Sequence, residues 1–131
     1  MIKKQFTIYL ENKPGELARV SRFLKTAKIN IEGISVSAST DIGLVQIVPS
    51  NAANTRKVLN KAKVAFTVQD VALVPLENKP GALADIASRM ARDGVNINYI
   101  YATGCTCKDA CGCYAVISAP DLPKAEKAFL A

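Results

Sequence analysis

The 131-residue chain contains no histidine, and so lacks the side chain most often used as a general base near neutral pH. Its other titratable groups do not replace it. The carboxylates fall in turns and on polar helix faces, and no nucleophile stands beside a matching base, so an enzyme is not expected. Long apolar runs are also missing: nothing approaches the roughly 20 residues that a membrane-crossing helix needs. Met1-Ile2-Lys3-Lys4 has the charge of a secretory leader, but polar and apolar residues then alternate as far as Glu11, before a leader's hydrophobic segment can form. A cytoplasmic protein is expected, one that does not engage membranes, with its four cysteines reduced or metal-bound.

What the chain does have is an internal repeat. Glu11-Asn12-Lys13-Pro14-Gly15 recurs letter for letter as Glu77-Asn78-Lys79-Pro80-Gly81. The repeat divides the chain into two modules of roughly 60 residues, 1–69 and 70–131. Modules that small bury only about 60% of the surface of the unfolded chain, so they are expected to lean on each other and on a second chain. The net charge of +6 lies wholly in the first copy, whose basic residues fall mostly on helix faces and read as solvated surface.

The periodicity around each pentapeptide is that of a strand before it and a helix after it. Phe6, Ile8 and Leu10 share one face of a strand, with Thr7 and Tyr9 on the other. Pro14 is placed in the first helical turn, where its missing N–H costs nothing, and Leu17, Val20, Leu24 and Ala27 follow at helical spacing. Ile29-Asn30-Ile31 opens a second strand with Ser35, Ser37 and Ser39 on its polar face. Thr40 to Gly43 turns the chain into a third strand, Leu44 to Val48. Ser50 or Asn51 caps a second helix, and Val64 to Val68 makes a fourth strand. The order is βαββαβ.

The second copy follows the same order through Leu83, Ile86 and Met90, and Val95-Asn96-Ile97 takes the place of Ile29-Asn30-Ile31. Between Gly104 and Tyr114 it gains about five residues, and after its second helix it has no fourth strand. That leaves a sheet edge exposed unless something pairs with it. Residues 64–76 contain no Gly and only one Pro, and are expected to form one nearly continuous strand.

The repeated Asn-x-Pro-Gly turn, the apolar-Asn-Ile run and the element order together resemble the ACT-domain family of small-molecule-binding regulatory modules. The resemblance implies an α+β fold of two tandem ferredoxin-like βαββαβ modules with antiparallel sheets, the second lacking its last strand. It also implies regulatory output without catalysis and without a required cofactor. An amino acid or similar metabolite would bind between paired modules of a homodimer or larger assembly that acts on a regulated enzyme. By the family pattern the site falls on Glu11, Asn12, Pro14, Gly15, Asn30 and Ile31 and on Glu77, Asn78, Pro80, Gly81, Asn96 and Ile97. A helix N-terminus suits the ligand's carboxylate, glycine permits close approach to the backbone, and the asparagine amides both donate and accept. Some family members carry a histidine near this loop, whereas here Glu11 and Glu77 stand in it. The plain structural alternative is that Asn, Pro and Gly merely open a helix.

Cys105, Cys107, Cys111 and Cys113 all lie in the insertion 104–113. In a hairpin turning symmetrically about Asp109, their two-residue spacing puts four sulfurs on one face, a thiolate set for zinc or another soft metal. A type I turn at Asp109-Ala110-Cys111-Gly112 would scatter them instead. Metal binding, a disulfide or redox switch, and free thiols all remain open. Nucleic acid is not expected as a partner: Tyr99 and Tyr101 share a strand face, but the Gly-Phe-rich signature of RNA-binding sheets is missing.

Overall fold

The computed structural model describes residues 1–103 and 113–130. Cys105, Cys107 and Cys111 lie outside the described residues. The elements are β1 (Ile2–Glu11), α1 (Glu16–Thr26), β2 (Ile31–Ala38), β3 (Ile42–Pro49), α2 (Ala52–Lys61), β4 (Ala65–Pro75), α3 (Ala82–Arg92), β5 (Tyr99–Ala102), β6 (Tyr114–Ser118) and α4 (Leu122–Leu130). The fold is α+β, with antiparallel pairing of β1 with β3, β2 with β3, β4 with β6 and β5 with β6. No helix among the described residues is long and apolar enough to cross a membrane.

Two compact units emerge, one of Lys4–Gln69 and one of Met1–Lys3 with Asp70–Ala131. β4 is a single unbroken strand through the boundary at Gln69 and Asp70, as its lack of internal breakers predicts.

In the unit Lys4–Gln69 the strands run in the order β2–β3–β1. Phe6, Ile8 and Leu10 of β1 share a core with Val45 and Ile47 of β3, Val20 and Leu24 of α1, and Leu59 of α2. The expected half-solvated face of β1 is only partly so. Tyr9 is exposed, but Thr7 and Gln5 are buried. Their polar groups are satisfied in a short chain of bonds, from Gln5 Nε2 to Thr7 Oγ1 (3.4 Å) and from Thr7 Oγ1 to Gln69 Oε1 (3.2 Å). The second helix is capped by Asn51, whose Oδ1 accepts from the Asn54 N–H at 3.0 Å.

The other unit has the order β4–β6–β5. Its core repeats the first at a fixed offset, with Ala72 for Phe6, Val74 for Ile8, Ile86 for Val20 and Met90 for Leu24. Asp121 takes the part of Asn51, accepting from the Lys124 N–H at 3.1 Å. The edge left by the missing strand is met at its start: Met1 exchanges both backbone hydrogen bonds with Leu73, at 2.7 and 3.2 Å. This pairing explains why Met1–Lys3 groups with the later residues.

Two expectations need correction. Pro14 is not in the helix. The N-cap is Gly15, left-handed at φ 92°, and the helix opens at Glu16; Gly81 repeats this at φ 91°. Glycine adopts that conformation without the Cβ clash other residues meet, so the proline belongs to the turn before it. The insertion is also shorter than about five residues. Ile8 pairs with Val45 and Val74 with Ala115, so the offset grows from 66 (74 − 8) to 70 (115 − 45), a gain of four. Pro120 misleads because it lies beyond the end of β6, one place past the equivalent of Pro49.

Candidate functional site

Each pentapeptide turn is built by the same local bonds. The Lys13 N–H donates to the Glu11 carbonyl and the Lys79 N–H to the Glu77 carbonyl, both at 2.9 Å. The side chains pair as well, Lys13 Nζ with Glu11 at 2.8 Å and Lys79 Nζ with Glu77 at 2.6 Å. Hydrogen bonding to Lys79 holds the Glu77 carboxyl below its ordinary range, and the same partnership raises Lys79. Both pairs are exposed, so their contribution to stability is small. No side chain caps α1 or α3; the Glu16 and Ala82 N–H groups turn back to the carbonyls of Lys13 (3.5 Å) and Lys79 (3.3 Å), which leaves the amides of Leu17 and Ala18, and of Leu83 and Ala84, for a partner outside the helix.

Beyond the backbone, each turn has its own described neighbours. In the first, Asn12 braces the β2–β3 hairpin. Its N–H donates to the Asp41 carbonyl (3.0 Å), and its Nδ2 donates to the carbonyls of Ser39 (3.0 Å) and Thr40 (3.4 Å). The second turn opens onto a cleft of about 500 Å³, walled by Glu77, Asn78, Lys79 and Gly81, the first turn of α3, and Thr103 and Cys113. Thr103 is fixed there by its hydroxyl, which accepts from the Tyr114 N–H at 2.9 Å. Cys113 is half-buried, and its carbonyl accepts from the Leu76 N–H at 2.9 Å. Thr103 was missed in the sequence. The available signal was the repeat itself, which aligns it with Ser37 at the end of β2.

Asn30–Ile31 and Asn96–Ile97 do not join the turns within their own units. β1 and β2 both run antiparallel to β3, so the Glu11 end of β1 lies beside the Ala38 end of β2. Asn30 sits at the other end, exchanging bonds with Ser50: its N–H reaches Ser50 Oγ (2.9 Å) and its carbonyl takes the Ser50 N–H (2.8 Å). About 20 Å of strand separates the two places. The second unit repeats this, with the Asn98 N–H on the Ser118 carbonyl and the pentapeptide at the Cys113 end. Pro14 and Pro80 are exposed in their turns.

Among the described residues no group of three His, Cys, Asp or Glu side chains is placed to hold a metal. Tyr99 and Tyr101 are half-buried with their rings parallel, centroids 6.5 Å apart. Burial chiefly, and the neighbouring Tyr99 after it, raise the Tyr101 phenol above its ordinary range.

The sequence profile of the ACT domain pair family matches residues 1–110. The chain belongs to this family. Among solved structures, protein BT0572 from Bacteroides thetaiotaomicron is similar over 98% of this chain and 86% of its own, with a TM-score of 0.86 and 28% identity. The ligand-free regulatory subunit of aspartate kinase from Thermus thermophilus superposes with a TM-score of 0.66 at 18% identity, over 97% of this chain and 88% of that one. The corresponding subunit from Thermus flavus gives 0.61 at 14%, over 99% and 94%. At these identities the two kinase subunits speak for the ACT fold alone. No curated protein matches the chain.

Proposed function

We propose that this ACT domain pair is a non-catalytic regulatory protein that binds an amino acid or a similar small metabolite. The observation that carries the proposal is the uncapped, glycine-started N-terminus of α3 opening onto the 500 Å³ cleft. Amides there favour a carboxylate, with the helix dipole adding about 0.3–1 kcal/mol. Glu77 supplies a counter-charge for an ammonium. The output is control of an enzyme, as the regulatory subunits of aspartate kinase exemplify, and it is exerted in the cytoplasm. No cofactor is required.

We read the chain as two tandem ferredoxin-like modules, 1–69 and 70–131, the second without its last strand. Because turn and Asn-Ile run lie at opposite ends of the strands, a pocket using both draws them from two modules. A second copy of the chain is the natural source. β2 is an eight-residue edge strand with exposed Ile34 and Val36 and no lysine or proline to block pairing. Antiparallel pairing of β2 with its counterpart brings Asn30 and Ile31 of one copy to the end where the other carries Glu11 to Gly15. A homodimer or larger assembly follows.

The test is thermal shift against a panel of amino acids and metals, since a ligand that binds only the native state raises its melting temperature. Stabilisation by an amino acid, lost in Asn78→Ala and in Leu83→Glu, supports the reading. Stabilisation by zinc alone, lost in Cys107→Ser, supports the second reading, a metal or redox sensor using Cys105, Cys107, Cys111 and Cys113. That reading gains from Cys113 lining the cleft. Silence toward every amino acid contradicts the first.

A further inference from the structure

The outer side of the two helices in the unit Lys4–Gln69 carries charge of one sign. Phe6, Ile8 and Leu10 of β1 share their core with Val20 and Leu24 of α1 and with Leu59 of α2, so both helices cover one face of the sheet and their opposite sides form a single layer. That layer is basic. α1 and α2 hold six cations and one acid, Glu16, which Arg19 takes up at 3.0 Å. The other five cations, Arg22, Lys25, Arg56, Lys57 and Lys61, are exposed, and none forms an ion pair with a described residue. Arg22 and Lys57 each stand two places, about 200° of helix rotation, from a buried residue on either side, and so face directly away from the core. Arg22 and Lys25 are three apart, Lys57 and Lys61 four apart, spacings at which like charges repel. The helices of the other unit carry no such excess: α3 and α4, with their capping residues Asp93 and Asp121, hold four cations and four acids. One fold is thus built once with a balanced helix layer and once with an unpaired basic one, so the excess is not something the fold requires.

We propose that the outer layer of α1 and α2 is a docking surface for an acidic helix of a partner protein. A helix with Asp or Glu at three- and four-residue intervals repeats its charge about every 5–6 Å, the interval at which the cations recur along α1 and α2. With 11 residues in α1 and 10 in α2, the layer is about 16 Å long. That matches about three turns of such a helix and is under half of the roughly 34 Å turn of a nucleic-acid duplex. Single strands are held by stacking on open aromatic faces. The one aromatic of the two helices, Phe23, has the Arg19 guanidinium over its ring, 5.8 Å from the centroid. Anionic membranes take up amphipathic helices by their apolar sides, which here are committed to the core. A short polypeptide bearing carboxylates meets the charge, the length and the spacing together. Because the cations are exposed, the contact is sensitive to salt. The turn cleft belongs to the other unit, and the proposal stands without any ligand there.

The experiment is an amide NMR titration of the full chain with an alanine-based peptide of about twelve residues, blocked at both ends and carrying glutamate at three- and four-residue intervals. Parallel titrations use its glutamine counterpart, a duplex DNA of similar length and phosphatidylserine vesicles. Shifts centred on Arg22, Lys25, Lys57 and Lys61 are expected, fading as salt is raised. The glutamine peptide should bind roughly tenfold more weakly or worse, and Lys57→Glu with Lys61→Glu should weaken the acidic peptide by about the same factor. Lys124→Glu with Lys127→Glu, an equal change of net charge on α4, should weaken it by less than about twofold. Equal losses from the two pairs overturn the proposal, as do shifts spread over both units or no shifts at all. Preference for the duplex or for the vesicles at matched charge overturns it in favour of nucleic acid or a membrane surface. Comparing the four probes on the unaltered chain keeps the test decisive even if a variant fails to fold.

Discussion

The two pentapeptide turns share five letters and a backbone, yet they face different surroundings. Gly15 and Gly81 sit within a degree of each other in φ, and both turns carry a Lys–Glu pair. In the first, Asn12 is committed to carbonyls of the β2–β3 hairpin. In the second, Asn78 is engaged as well, and the turn walls a cleft with Thr103 and Cys113. Identical residues therefore specify the turn. The sequences of the copies diverge in length by four residues after strand two.

The comparison can be broken first at the cores. Phe6 and Ala72 occupy the same position, and Phe6 is fully buried, with its ring 5.6 Å from that of Phe66. Phe6→Ala is expected to cost about 3–5 kcal/mol in denaturant unfolding, through the cavity it leaves. Ala72→Phe, an overpacking change, should cost about 1–3 kcal/mol. A small loss from Phe6→Ala would mean that the first core is less dependent on its aromatic than the packing indicates.

The shared backbone is tested by Gly15→Ala and Gly81→Ala. An added Cβ meets nothing within 4 Å at either position, so the cost is conformational, about 1–2 kcal/mol each. The two losses should be equal; inequality would show that the turns differ in strain as well as surroundings. A smaller difference lies at the helix ends. Lys28 (φ 58°) stands where the second copy has Gly94 (φ 70°). Lys28→Gly is expected to raise stability by about 0.5–1 kcal/mol, since glycine enters this region without penalty.

The smallest effect is electrostatic. The Glu77 carboxyl, depressed by Lys79, should titrate below an ordinary glutamate by NMR and return toward it in Lys79→Met. The sign follows from linkage: a depressed carboxylate stabilises the fold above its unfolded pKa, and the contribution disappears as pH falls through the folded value. An unchanged titration in Lys79→Met would remove the pair from the account.

Much of this was legible in the residues. The pentapeptide repeat gave the module order, and the alternation of Phe6, Ile8 and Leu10 gave the core face, because burial follows strand period. The lack of breakers from 64 to 74 gave the unbroken β4. The burial of Gln5 and Thr7 was not legible, since alternation reports one packed face and says nothing of what covers the other. Nor was the placement of Asn30 and Asn96. Sequence spacing puts each near its turn, but strand direction carries it to the far end.

We propose, as the central reading, that the cleft at the second turn makes it the stronger ligand site of the two. It is tested most directly by following backbone amides by NMR while titrating the amino acid that stabilises the protein. The account predicts saturating shifts at Gly81, Leu83, Ala84 and Thr103 at lower ligand concentration than any at Gly15, Leu17 and Ala18. Equal or earlier saturation at Gly15 to Ala18 would contradict it.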